Sequence, residues 1–438
     1  MLKTLQNAFK VKDVRHRIFY VLMMLVVIRI GSQLPVPGVD GSYFKTWFES
    51  QTGDAFNFLD AFTGGSFSQM SIFALSITPY ITSSIIIQLL TIAIPKLEEM
   101  QRDGEDGRKK LGAITRYVTI GLSLFESIAM AIGFGNKGLI PDNSFVKMVV
   151  VVVALTAGSA FLMWVGEQIN EKGVGNGISI VLLINIVSRI PSDMTKLYES
   201  FMKGKIIAKA LLSGVIIAAI IVGVVILVII LNGAERRIPV QYSKKMQGRK
   251  MMGGQSSHIP LKVNTAGVIP VIFASSIMSF PSVIASFLGK TGGTGIGGKI
   301  LAGMNSNNWF DLEHPWYSIG LVAYIVMVIF FAYFYTSITF NPLEVADNMK
   351  KQGGFIPGIR PGKPTSDYLT NMLNYIIFIG AVGLIIVAVI PFFFNGVFGA
   401  NVSFGGTSII IVVGVVLETL NQIESQLLVR NYKGFLNS

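Results

Sequence analysis

Leu211-Leu212-Ser213-Gly214-Val215-Ile216-Ile217-Ala218-Ala219-Ile220-Ile221-Val222-Gly223-Val224-Val225-Ile226-Leu227-Val228-Ile229-Ile230-Leu231 is the stretch that decides the class of fold. It is free of charge over a length that matches the about 20 apolar residues a helix needs to cross a bilayer. With the residues just before it, it predicts a helix near 206–231, aliphatic enough to face lipid all round. In hydrocarbon each backbone N–H and C=O must be satisfied inside the helix or around a closed barrel. A barrel shows short segments of alternating hydrophobicity, and this sequence has none. The fold class is therefore all-α and integral to a membrane.

The rest of the chain agrees. Of 438 residues, 51% are hydrophobic and 14% charged, against about 25% charged in ordinary soluble domains. A water-soluble fold of this size is excluded. Apolar runs and their polar borders predict ten spans, near 18–34, 72–94, 116–134, 146–166, 176–190, 206–231, 265–288, 317–340, 369–394 and 406–430. The first follows a basic leader (Lys3, Lys10, Lys12, Arg15, Arg17) but ends in Leu34-Pro35-Val36-Pro37 with no small-x-small cleavage site, so it reads as an uncleaved span.

Alternate connections hold 25 Lys and Arg on the side of both termini against 10 opposite, with Arg29 inside a span. The positive-inside rule makes both termini cytoplasmic, although the outer connection 189–209 is locally basic. The net charge of +12 gathers in two long inner connections, 232–262 and 340–368. The first carries Arg236, Arg237, Lys244, Lys245, Arg249, Lys250 and Lys262; the second carries Lys350, Lys351, Arg360 and Lys363. Such charge suits anionic lipid headgroups. The glycines and prolines of Gly353-Gly354-Phe355-Ile356-Pro357-Gly358-Ile359-Arg360-Pro361-Gly362 also suit a stiff protrusion that docks an acidic or RNA-bearing partner.

Two spans are too polar for lipid. The second runs Ser71 to Gln88 with Ser76, Thr78, Thr82, Ser83 and Ser84 around Pro79; the seventh is interrupted by Pro270, Ser275, Ser276, Ser279, Pro281 and Ser282. Small hydroxyl residues favour close helix contacts. Clustered with helix-loosening prolines, they also suit helices that line an aqueous path or part from one another. The inner end of the tenth span, with Glu418, Asn421, Gln422, Glu424 and Gln426, faces water or protein. Ionisable groups deep in spans are few, Glu126 and Arg29 among them, which argues against an ion-coupled transporter while Glu126 keeps that alternative open.

Between the first two spans, Phe56 to Phe67 is apolar, aromatic and broken by Gly64-Gly65, and too short to cross. It lies at the interface or re-enters a protein-lined cavity. Gly293 to Lys299 nearly spells a phosphate-binding loop, but Ile300 stands where Ser or Thr belongs; Gly133 to Gly138 spells a dinucleotide pattern at a helix end, the wrong context. No catalytic constellation is present, cysteine is absent, and His16, His258 and His314 lie far apart, so neither enzyme nor metal centre nor cofactor is expected.

Phe62-Thr63-Gly64-Gly65, Ile72 to Ile81, Gly175-Asn176-Gly177-Ile178-Ser179, Gly267-Val268-Ile269-Pro270, Phe273-Ala274-Ser275-Ser276, Pro357 to Gly362 and Gly405-Gly406-Thr407-Ser408 together resemble the SecY family, in that family's order along the whole chain. The resemblance implies ten helices in two pseudo-symmetric halves of five, 1–200 and 201–438, in the bacterial plasma membrane. It implies a protein-conducting channel for unfolded preproteins, assembled with SecE and SecG and served by the ATPase SecA or the ribosome, whose rRNA phosphates would meet the basic loops. It places a pore ring on Ile77, Ile81, Leu182, Ile186, Ile272, Ile277 and Ile411. A plug near 56–70 would use Phe58, Phe62, Gly64, Gly65 and Phe67. A lateral gate, opening to membrane lipids, would use Thr82, Ser83, Gln88, Ser275, Ser276 and Phe280. Docking would use Arg236, Arg237, Lys244, Lys245, Arg249, Lys250 and Arg360. Independently of the resemblance, Ile77/Ile81 and Leu182/Ile186 are i, i+4 pairs that share a helix face; simple packing is the plainer use of such residues. The alternative function is a secondary transporter for a small solute.

Overall fold

The computed structural model describes residues 6, 8–50, 60, 63–135, 138, 144–203, 207–242, 245–247, 250–252, 256–287, 296–305, 308–310, 314–398 and 406–436. Its elements are α1 (Lys12–Gly31), α2 (Gly41–Ser50), α3 (Thr78–Ala93), α4 (Pro95–Arg102), α5 (Gly104–Gly135), α6 (Phe145–Lys172), α7 (Gly177–Phe201) and α8 (Ile207–Gly233). They continue with β1 (Glu235–Tyr242), β2 (Lys245–Gln247), β3 (Lys250–Met252), β4 (Ser256–Lys262), α9 (Ile269–Phe287), α10 (Ile296–Met304), α11 (Ser318–Thr339), α12 (Pro342–Lys351), β5 (Gly354–Phe355), α13 (Lys363–Phe398) and α14 (Gly406–Leu436). Each interval expected to hold a span contains a helix. Among the described residues, seven helical stretches are long and apolar enough to cross a membrane, eight if α3 and α4 count as one bent span. α1, with Arg15, Arg17 and Arg29 inside it, is not among the seven, and α9 contributes only the shorter apolar run Ile269–Met278.

Two helix boundaries follow from proline chemistry. α3 begins at Thr78 rather than at 72, because residues 72–77 are turns, with Ser76 in the left-handed region at φ 54°. Pro79 then opens the helix, where its missing N–H costs nothing. At the other end Pro95 forces Ile94 into an extended conformation (φ −114°, ψ 110°), so α3 stops and α4 leaves at 103°.

The chain divides into two compact units. The first holds Met1–Lys196, Ser282–Gly293 and Val415–Ser438; the second holds Leu197–Pro281 and Thr294–Gly414.

In the first unit, Phe44, Phe67 and Phe134 meet edge to face, with Phe44 and Phe134 4.9 Å apart at 90°, and bury Met70, Leu75 and Leu155 around them. A hydroxyl stripe on α5, Thr115, Thr119, Ser123 and Ser127, lies buried at four-residue intervals. Thr115, Thr119 and Ser127 each donate to the carbonyl one turn back, and Thr156 of α6 reaches Ser127 Oγ at 3.1 Å. The polarity is satisfied within the helices, which lets α5 and α6 approach closely.

Gly177 opens α7 against α6, where a Cβ would collide with the Gly166 carbonyl. Asn176 Oδ1 accepts from Ile178 N (3.1 Å) and Ser179 N (3.4 Å), and Asn170 Oδ1 from Gly177 N (2.7 Å). The Gly-Asn-Gly motif is thus an N-cap built at a helix crossing. Gly177→Val is expected to lower stability by about 3 kcal/mol through overpacking, read as a fall in the melting temperature of the detergent-solubilised chain.

In the second unit, α8 does not face lipid all round. Val224, Val228 and Leu231 form one buried stripe against Tyr324, Val328, Leu384 and Val387, while Leu211, Val215, Val222, Ile226 and Ile230 stay exposed. The i, i+4, i+7 spacing was present in the sequence, but in a uniformly aliphatic helix nothing marks one face as inner. Trp309 sits at the edge of this core, 4.9 Å from Phe392 and with Nε1 donating to the Gly303 carbonyl.

The expectation of a purely helical fold needs one correction. β1 pairs antiparallel with β4, from Glu235↔Lys262 to Gln241↔Ser256, and with β5 at Gln241↔Phe355. The two basic connections are therefore joined in one sheet of order β4-β1-β5. Alternation buries Ile238 and Val240 on Leu261, Met349, Ile356 and Leu369 and leaves Arg237 and Pro239 outward, while Arg236, on the side of Ile238, is exposed at the start of the strand. Pro239 and Pro260 masked the strands in the sequence, since prolines weaken a strand reading.

Candidate functional site

The first unit brings Asp60 and Gly64 onto α7. Gly64, at φ 68°, lies so close to Asn185 that a Cβ there would sit 2.8 Å from its Cα and carbonyl oxygen, so both conformation and space demand glycine. Its carbonyl accepts from Ser188 Oγ (3.3 Å) and Arg29 Nη1 (3.5 Å). Asp60 is ion-paired with Arg189, and its Oδ1 accepts from Ser68 N at 2.8 Å. Asp60, Thr63, Ser66 and Phe67 are all at most 3% exposed. These described residues of the segment are thus buried within the protein. Gly65 and Phe67 belong to this seat; Phe58 and Phe62 lie outside the described residues.

Beside that seat are four of the ring positions. Ile77 is the N-cap of α3 and Ile81 N donates to its carbonyl at 3.1 Å, so the two stack although only Ile81 is helical. On α7, Leu182 and Ile186 are buried. Asn185 Nδ2 donates to Ser76 Oγ at 2.9 Å, which ties the neighbours of Ile186 and Ile77 together in a dry setting. In such a place a lost partner costs about 1–3 kcal/mol. Ser76, Asn185, Ser188, Asp60 and Arg189 were not singled out as site residues from the sequence. Arg29 and Asn185, polar groups inside apolar spans, were the signals available.

The second unit holds Ile272, Ile277 and Ile411. Ile411 is 1% exposed, Ile272 is half-buried and Ile277 is 43% exposed. Five residues turn a helix by roughly 140°, so Ile272 and Ile277 leave α9 on different faces. Among the gate positions, Ser83 is buried with Oγ donating to the Pro79 carbonyl (2.7 Å), Thr82 is half-buried and Gln88 exposed. Ser275 is buried and Ser276 exposed, and the Phe280 side chain lies outside the described residues.

The joined loops form the second candidate surface. Arg236 and Arg237 are exposed at the base of β1, with Arg237 Nε 2.6 Å from Glu235. Arg360 is exposed on a tip framed by Gly358 (φ 83°) and Gly362 (φ 101°) and anchored by buried Ile356. Thr365 Oγ1 donates to the Arg360 carbonyl at 2.8 Å, which fixes the backbone while the guanidinium stays outside. Lys244 and Arg249 lie outside the described residues, as do the side chains of Lys245 and Lys250.

The tenth span's polar inner end finds protein. Gln422 Oε1 accepts from Gly175 N, and Ile423 packs with Ala8, Val14 and Val174.

Long apolar helices, a buried Gly64 seated on α7 and two basic connections joined in one sheet define a polytopic helical membrane protein. Residues 71–420 match the SecY family model. The chain is 44% identical to the protein translocase subunit SecY of Halalkalibacterium halodurans and 44% identical to that of Bacillus subtilis, each over 100% of both chains. Its fold is similar to a solved structure described as a protein-conducting channel, with TM-score 0.61 and 18% identity over 94% of this chain and 92% of that one. A structure of Sec61 in a canine ribosome–channel complex is also similar, with TM-score 0.59, 16% identity and coverage of 94% and 92%. The chain belongs to the SecY family.

Proposed function

We propose that this chain is the channel subunit of a protein translocase. It passes unfolded preproteins across the bacterial plasma membrane and releases apolar segments sideways into lipid. The observation that carries this function is the full-length kinship with relatives named as protein translocase subunits. The chemistry fits. A pore for many sequences cannot depend on specific hydrogen bonds, because each substrate would need matching partners. A collar of branched aliphatic side chains needs none, closes around an extended chain, and dewets when empty, which bars ions.

In this reading ten helices cross the membrane in two halves, with both termini cytoplasmic. Ile77, Ile81, Leu182, Ile186, Ile272 and Ile411 form the collar, with Ile277 leaving α9 on another face, and residues near 56–70 are the outer plug. α3 and α9 are the lateral gate, whose opening lets lipid compete for an apolar segment by partition. SecE and SecG are the membrane partners, and SecA or the ribosome docks on the basic sheet and the Arg360 tip. One solved structure with the same fold bears a title in which the SecY plug domain stabilises the closed channel and maintains a membrane seal. Against solute transport, Arg29 is committed to Gly64 and Ser188 rather than to a substrate cavity.

A photo-crosslinker placed at Ile186 is expected to capture a preprotein stalled in transit, and one placed at the lipid-exposed Val215 is not. Capture at Val215 with none at Ile186 overturns the collar assignment.

A further inference from the structure

Two arginines inside the outer halves of membrane helices have no part in a greasy collar: Arg29 of α1 and Arg189 of α7. Such groups are expensive in a span and mark function. Each bonds to the segment that carries Asp60 and Gly64. Arg29 Nη1 donates to the Gly64 carbonyl and, at 3.0 Å, to Ser188 Oγ of α7. Arg189 is ion-paired with Asp60, the two side chains being 11% and 3% exposed. One turn beyond Arg189 on the same helix is Asp193, 1% exposed and close enough for its charge to act on Arg189. Residues four apart on a helix are surface neighbours, so Asp193 is within reach of the same guanidinium.

We propose that Arg189 is a two-position latch: it holds Asp60 while the 60–70 segment is seated and is taken over by Asp193 when the segment leaves. The inference rests on the plug reading. Stripping one partner from a buried ion pair is strongly unfavourable, and with no second acceptor the pair would lock the segment in place. A carboxylate fixed one turn away removes most of that penalty, because the charge is re-paired without rebuilding the helix. Ser188 serves Arg29 in the same way. The seat keeps its cations paired in both positions, as a plug that returns must. The two carboxylates therefore have opposite effects: Asp60 favours closure and Asp193 favours opening.

The test uses the full chain in its assembled membrane complex, reconstituted in vesicles, with resting ion conductance and preprotein translocation rate as readouts. Asp60→Asn is expected to raise resting conductance by roughly tenfold or more. Asp193→Asn is expected to leave resting conductance at or below its starting value and to slow translocation several-fold, and Asp193→Glu to restore the rate. Complex yield reports folding separately; exchanging the pair as Asp60→Arg with Arg189→Asp is expected to return conductance toward the starting value. Deleting residues 60–70 tests the plug itself. If deletion raises conductance while Asp60→Asn and Asp193→Asn act in the same direction, or neither acts, the latch is wrong and the plug stands. If deletion leaves conductance unchanged, the plug reading fails and the latch with it.

Discussion

Replacing Ile81, Ile186 and Ile411 together with serine is expected to raise the resting ion conductance of reconstituted membranes by roughly tenfold, the factor that ~1.4 kcal/mol off a barrier represents. Ile186 and Ile411 are buried and Ile81 is half-buried, so their methyl groups meet other side chains rather than bulk water. Serine is smaller and supplies hydroxyls, which opens space and gives water partners at the point where the proposed collar would exclude it. The measurement is single-channel or vesicle-flux conductance without substrate, against Val215→Ser on the exposed face of α8 as a control. Unchanged conductance in the triple variant would mean that the seal is made elsewhere.

The second large effect concerns the basic tip. Arg360→Glu is expected to cut ATPase-driven preprotein export by roughly tenfold or more, because a reversed charge repels the acidic partner a cation attracts. Assembly with the small membrane subunits is expected to be unchanged, since the side chain is exposed and its backbone is held by Thr365 and the glycine turns. Export in inverted vesicles and co-purification yield separate the two. Equal loss of both assigns Arg360 a structural role.

Tying the two basic loops into one sheet alters how such variants combine. β5 pairs with β1, so a change at the Arg360 loop and one at Arg236 or Arg237 act on a single rigid platform. Neighbours coupled through shared structure do not add independently.

The class of fold was legible because hydrocarbon leaves the backbone no choice: a chain with stretches such as Leu211–Leu231 must bury its peptide groups in helices, wherever those helices pack. The same one-dimensional logic bounded the second span at 72–94 and noted the break at Gly64-Gly65. It also marked two long connections as basic and the second of them, through 353–362, as stiff. What composition could not rank was one aliphatic residue against another. Val224, Val228 and Leu231 differ from Val222, Ile226 and Ile230 only in what lies opposite them. The same holds for polar groups: the partners Asp60 and Arg189 are 129 residues apart, and Ser76 and Asn185 are 109 apart. Sequence alone determined a membrane-embedded helical chain with an apolar segment too short to cross and two strongly basic connections, because these follow from each residue's solvent preference. The tertiary structure alone decided which helix face is inner, that two basic loops share one sheet, and which carboxylate answers which arginine, because those depend on pairs brought together across the chain.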